Sequence, residues 1–452
     1  MIRLTWVHVT RAREVARTAM RDAPNSDWSR LPGRWLLNDR EEMTKVKTKA
    51  HKWEFKARFR RNTFGWKSQP AIKRVKEAVS EIKRVARRDK VLAAEGAVQF
   101  LERLSPALAH VDSSSGAIGT AVNRAVEALV RIIAEAPTDP EKRDAWLERL
   151  WDAYQEDGIP YIELLGDHWG ELCASPEVAS RWADSLLGTC RMAWSPDPGL
   201  RGFFKGTTNC LSALLAAGRN QELLDLLEME PHGMWHYRQY GVKALAAMGK
   251  PSEAIRHAEG ASGLNDSPVA IARACEEILL TSDNADEAYR RYGLLANQAG
   301  TYLAWFRAVA RKYPRKTPAE ILDDLIEFTP GEEGKWFAAA KHAQLFDQAI
   351  SLANQSPTSP QTLTRAARDF SDKEPGFALE AGMAALRWIV AGYGYEITSQ
   401  DVHDAYSFTM KAAETAGRSE ETHRRIRDLL ARKIPVDSSV AGILGAELGL
   451  SR

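Results

Sequence analysis

The chain has 452 residues, 44% of them apolar, and its 62 Lys and Arg against 60 Asp and Glu leave a formal net charge of +2. It can bury a substantial core, it has no run of 18 apolar residues to span a bilayer, and its first ten residues are too interrupted by polar groups for a secretory leader, so a cytoplasmic protein is expected. Four cysteines, Cys173, Cys190, Cys210 and Cys275, form no Cys-x-x-Cys pair and are too sparse for a disulfide scaffold; they are expected to be reduced and buried.

Residues 1–42 contain eight Arg and no Lys, whereas Met43 opens a Lys-rich run. Two readings stand for this stretch: an extension upstream of a start at Met43, or an accessory helix from Trp6 to Met20.

Residues 43–90 hold 17 Lys or Arg against 4 acids, a net of +13, while residues 91–452 carry a net of −13. The near-neutral total conceals a basic arm on an acidic body, and such an arm is drawn to polyanions. Between 52 and 67, Trp53, Phe55, Phe59, Phe64 and Trp66 alternate with Lys52, Lys56, Arg58, Arg60, Arg61 and Lys67. An amphipathic helix is predicted from Ala71 to Arg88. Ile72, Val75, Val79, Ile82 and Val85 make its apolar stripe, and Lys73, Arg74, Lys76, Lys83, Arg84, Arg87 and Arg88 point outward.

Three readings of the arm compete. It binds nucleic acid, through Lys52, Lys56, Arg58, Arg60, Arg61, Lys67, Lys73, Arg74, Lys76, Arg84, Arg87 and Arg88 on phosphates and Trp53 and Trp66 on bases. Alternatively the aromatics seal the end of the body, with the cations paired to its acids or to an acidic partner. In the third reading the helix lies on an anionic membrane surface, although its stripe lacks large aromatics.

From residue 91 onward apolar residues recur at helical spacing. Trp146, Leu147, Leu150, Trp151 and Tyr154 share one face, and 118–136 is a clear helix before Pro137. Asp139-Pro140, Ser175-Pro176, Ser267-Pro268, Thr317-Pro318 and Ser359-Pro360 each place a capping oxygen before a proline suited to a first helical turn, and Thr317-Pro-Ala-Glu320 is a capping box. Many short helices are expected across a helical domain at 91–204, a repeat region at 205–432 and a C-terminal tail at 433–452.

Within the repeat region a turn and a polar-Glu-Ala-aliphatic opening recur, as in Ala217-Gly-Arg-Asn-Gln-Glu-Leu-Leu224 and Met248-Gly-Lys-Pro-Ser-Glu-Ala-Ile255. Aligned positions are Leu223, Ala254, Ala288, Ile321, Ala349 and Ala378, close to a 34-residue period. The segment resembles tetratricopeptide-like α-solenoids, without their regular Trp, Tyr and Pro positions. It also resembles uncharacterised bacterial helical-repeat regions that accompany a SWIM-type zinc finger, whose Cys-x-Cys and Cys-x-His pairs are absent here. The resemblance implies an all-α, right-handed solenoid of helix pairs that serves as an interaction scaffold.

Motifs for chemistry are sparse. Gly202-Phe-Phe-Lys-Gly-Thr-Thr208 lacks the order of a phosphate loop, and Asp167-His-Trp-Gly-Glu-Leu-Cys173 lacks a partner ligand set, so neither metal nor cofactor is expected. Arg103 and His110 resemble the Arg-His element of HEPN-type helical nucleases, but Pro106 between them should disrupt the helix that presents both. Trp235, His236, Tyr237, Arg238 and Tyr240 make either a partner-binding patch or the packing face of a repeat helix. The expected function is a non-catalytic scaffold or adaptor that takes a protein partner on its repeat surface and nucleic acid on its arm; the alternative is an enzyme or an accessory subunit of a nucleic-acid-processing system.

Overall fold

The computed structural model describes residues 51–261, 263, 266–431 and 438–448. The extension proposed for 1–42, with its start at Met43 or helix from Trp6, and residues 43–50 of the arm lie outside these. Every regular element among the described residues is a helix, and no strand is present among them. The chain divides into two compact units after Asp266, inside the stretch read as repeats, and the divisions expected at 90/91 and 204/205 fall within the first unit.

The first unit contains α1 (Phe55–Arg58), α2 (Ser68–Ala86), α3 (Lys90–Leu108), α4 (Ala117–Ala134), α5 (Pro140–Glu156), α6 (Trp169–Cys173), α7 (Pro176–Ala193), α8 (Thr207–Ala216), α9 (Asn220–Leu227), α10 (Trp235–Ala247) and α11 (Pro251–Glu259). The second contains α12 (Pro268–Thr281), α13 (Ala285–Ala288) continued through a π turn (Tyr289–Gly293) into α14 (Leu294–Ala296), α15 (Tyr302–Lys312), α16 (Pro318–Phe328), α17 (Phe337–His342), α18 (Phe346–Gln355), α19 (Pro360–Phe370), α20 (Pro375–Val390), α21 (Ser399–Thr415), α22 (Ser419–Ala431) and α23 (Ser438–Glu447). Within each unit, helices pack mainly on the next helix and the next but one, the pattern of stacked helix pairs. Within the stretch expected as a tail at 433–452, Leu444 of α23 is fully buried, and α23 lies on α21.

Local chemistry sets the helix boundaries. Asp139, Ser175, Ser267, Thr317 and Ser359 each accept a backbone N–H of the first turn, with proline next, and Thr317 and Glu320 complete their capping box. Five of the turns between successive helices share one geometry. Gly218, Gly249, Asp283, Gln344 and Gly417 all take positive φ, at +71°, +72°, +54°, +61° and +67°. In each case the next residue's N–H reaches the carbonyl five positions back, as in Arg219 to Leu214 and Leu345 to Ala340, both at 3.0 Å. This is the Schellman closure, which satisfies carbonyls left open at a helix end. All six aligned positions, Leu223, Ala254, Ala288, Ile321, Ala349 and Ala378, are fully buried, as a shared repeat register requires.

One apolar core runs through the first unit from Trp53 to Ala244. Arg143 is a buried cation within it and has no carboxylate partner in the described residues; instead its guanidinium donates to the carbonyls of Ile133 at 2.6 Å and Ala136 at 2.8 Å. Those carbonyls lie at the end of α4, where a helix carries its partial negative charge. All four cysteines are buried, and burial pushes the Cys173 thiol up to about 12.

Candidate nucleic-acid interface

The arm folds as a strap, residues 51–67, laid over the start of the helical stack and followed by α2. Three contacts pin it. Buried Glu81 on α2 accepts the backbone N–H groups of Glu54 at 2.8 Å and Phe55 at 3.2 Å, which anchors the start of α1. Asn62, at positive φ, donates its N–H to the carbonyl of Pro106, and Asp112 donates its N–H to the carbonyl of Trp66, both at 2.9 Å.

Side chains of the strap divide by type. Trp53, Phe55, Phe59 and Phe64 are buried and form an edge-on cluster in which Phe55 and Phe59 both meet Phe100 of α3. The expectation that Trp53 stacks on bases is therefore corrected: its indole is sealed against α3 at Gly96, and burying that surface stabilises the fold instead. Trp66 differs, with 72% of its surface exposed.

The cations face outward. Lys52, Lys56, Arg60, Arg61, Lys67, Lys73, Lys76, Lys83, Arg84, Arg87, Arg88 and Lys90 are exposed, and none forms an ion pair with a described residue. Arg58 and Arg74 are half-buried and do pair, with Glu54 and Glu77 of the arm itself. Among the described residues, no arm cation is neutralised by an acid of the body. The predicted helix begins at Ser68 rather than Ala71, because Pro70 falls in its first turn, where its missing N–H costs nothing. Of its stripe, Ile72, Val75 and Ile82 are buried, and Val79 and Val85 are partly so. Net charge alone had hidden Glu77 and Glu81; the Arg74-Glu77 spacing of three was the available signal.

The aromatic segment 235–240 is mostly committed to packing. Tyr240 is buried and donates its hydroxyl to Asp167 Oδ1 at 2.8 Å, so it is not a surface contact for a partner. Tyr237 meets Trp194 edge-on, Arg238 donates to the carbonyl of His257 at 3.0 Å, and the N–H of Trp235 is held by Asp266. His236 remains exposed, 3.0 Å from Thr208 Oγ1.

Other motifs resolve into structure as well. In the Gly202–Thr208 loop, Lys205 donates to the carbonyl of Asp157 at 2.7 Å and lies over the Tyr154 ring. His168 pairs with Glu171, and Asp167 is taken by Tyr240. Arg103 is exposed on α3, and His110 lies past its end; α3 runs through Pro106 to Leu108, so that proline does not break the helix as expected. A proline costs one ladder bond, and here it falls in the last turn.

Compared with protein-family models and with curated proteins, the chain has no match.

Proposed function

We propose that this chain is a non-catalytic binding protein, a tetratricopeptide-like helical scaffold that holds nucleic acid by its phosphates on the cationic face of residues 51–90 and takes a protein partner on its repeat surface. The observation that carries the nucleic-acid reading is the division of the arm: four of its five aromatics, Trp53, Phe55, Phe59 and Phe64, point in, while Trp66 and twelve of its cations stand exposed, the cations without a described carboxylate to neutralise them. A charged face that served only to close the stack would gain by pairing with the −13 body; this one leaves its charge available to solvent and polyanions. Contacts of this type go to phosphate oxygens and set position without reading sequence. No helix of the described residues is long and apolar enough to cross a membrane, and the reading places the protein in the cytoplasm.

The test is binding of a labelled, mixed-sequence, single-stranded oligonucleotide to the full chain and to two quadruple alanine variants. One removes Lys76, Lys83, Arg87 and Arg88. The control removes Arg311, Lys373, Arg424 and Arg427, four exposed cations of the second unit. Loss of binding in the first variant alone supports the reading; equal binding by all three proteins overturns it.

A further inference from the structure

The groove between α1 and α2, about 630 Å³ in volume, is lined by Arg58, Lys73, Arg74, Lys76 and Arg84 and by three carboxylates, Glu54, Glu77 and Glu81. Two guanidiniums from different helices converge on the same oxygen: Arg58 Nη1 lies 3.1 Å from Glu77 Oε2 and Arg74 Nη1 lies 2.7 Å from it. Glu54 touches the other terminal nitrogen of Arg58 at 3.2 Å, from an exposed position. The remaining acid of the groove, Glu81, is spent on the backbone of α1.

We propose that Glu77 occupies the seat of a phosphodiester, and that the groove binds one phosphate of a nucleic-acid strand by exchanging Glu77 for it between Arg58 and Arg74. This rests on the nucleic-acid reading of the arm and specifies its central contact. Each guanidinium gives Glu77 one terminal nitrogen, and a phosphate, which offers more acceptor positions than a carboxylate, can take those two donors and further ones from the same planar groups. The three residues are each about 34 to 43% exposed, so a ligand reaches them without unfolding the strap. Lys73, Lys76 and Arg84 surround the seat and remain unpaired among the described residues, which leaves net positive charge once Glu77 is matched. The hydrogen bond from Arg74, with the fields of Arg58 and Lys73, holds the Glu77 carboxyl below its ordinary range, so the competitor is an anion throughout the neutral range.

Exchange predicts that the acid limits affinity. Glu77→Gln keeps the side-chain size and removes the competing charge. The full-length variant should bind the same oligonucleotide roughly three- to tenfold more tightly at 0.1 M salt, with a salt slope steeper by about 0.7, the share of one phosphate contact on a single strand. Adding Arg58→Ala and Arg74→Ala to Glu77→Gln should abolish that gain. If the native protein binds the oligonucleotide but Glu77→Gln leaves affinity and slope unchanged, the exchange is wrong while the interface reading stands. If Glu77→Gln lowers both melting temperature and affinity, Glu77 is a structural tie only, and the proposal falls. Absence of binding by the native protein and the variant alike overturns the interface and the exchange together.

Discussion

Trp53 lies so close over Gly96 that a Cβ at that position would fall within 2.5 Å of two indole carbons. A glycine in the middle of α3 costs that helix about 1 kcal/mol relative to alanine, and the indole fills the space it leaves. Overpacking a core costs about 1 to 3 kcal/mol, and rigid ring atoms give way less than a flexible side chain would. Gly96→Ala should therefore destabilise the first unit by about 1 to 2 kcal/mol despite its better helix propensity. Chemical denaturation checks this; a gain in stability would mean that the strap moves aside freely.

Arg143 should prove more costly to lose than its lack of an acidic partner suggests. Its guanidinium satisfies the terminal carbonyls of α4 inside the core, so Arg143→Ala removes the donors and opens a cavity beside Trp146. We expect a loss of about 3 to 5 kcal/mol from the cavity and the unsatisfied carbonyls together, with Arg143→Lys recovering only part, because an ammonium cannot reach several carbonyls in one plane. The check is thermal or denaturant unfolding of both variants; near-native stability for Arg143→Ala would refute the capping role.

Glu276 makes a similar statement for the second unit. Its fully buried carboxylate accepts the Tyr313 hydroxyl and the Asn297 amide, both at 2.6 Å, and the Lys312 ammonium at 2.5 Å. Glu276→Ala strands three donors and should cost about 3 to 5 kcal/mol. Lys312→Ala should cost less, since that ammonium is partly exposed. The order of the two effects in denaturant unfolding is the test, and a larger effect for Lys312→Ala would reverse the assignment.

Alkaline stability follows from the buried phenols. Tyr154, Tyr240, Tyr289 and Tyr313 are all pushed above their ordinary value of 10.0, each chiefly by burial and further by a carboxylate: Glu163, Asp167, Asp324 and Glu276 respectively. A raised folded-state pKa stabilises the fold fully below the unfolded value, and the contribution is lost as pH climbs above it toward the folded values. Unfolding should thus begin above pH about 10. In an alkaline titration, tyrosinate absorbance from these residues should rise together with the loss of helical circular dichroism. Smooth ionisation near pH 10 with helicity intact would show that the phenols are accessible.

Local rules and long-range contacts separate clearly here. Each Ser, Thr or Asp before a helix-opening proline was legible because the cap and its N–H lie within three residues. The Gly218 and Gly249 turns were legible because glycine announces positive φ, while Asp283, of a type that only tolerates this conformation, and Gln344, of a type that rarely adopts it, gave no such signal. The fate of Trp53 was not legible, since an aromatic among cations reads equally as a stacking platform or as core. Its partner Gly96 lies 43 residues away. Tyr240 is similar: surface and core readings differ only through Asp167, 73 residues earlier in the chain.

The same division refines how the interface is tested. Deleting residues 43–90 would strip Trp53, Phe55 and Phe59 from the core and expose Phe100, so loss of binding would report damage as readily as a missing interface. Point changes at exposed cations avoid this. The most direct measurement is the dependence of oligonucleotide affinity on salt, from about 50 to 200 mM, for the native chain and for the Lys76, Lys83, Arg87 and Arg88 quadruple alanine variant. Each phosphate contact on single-stranded nucleic acid contributes about 0.7 to the slope of log affinity against log salt. A phosphate-binding cationic face requires a steep native slope that falls by roughly two to three in the variant, with its melting temperature unchanged. Identical slopes in the two proteins would contradict it.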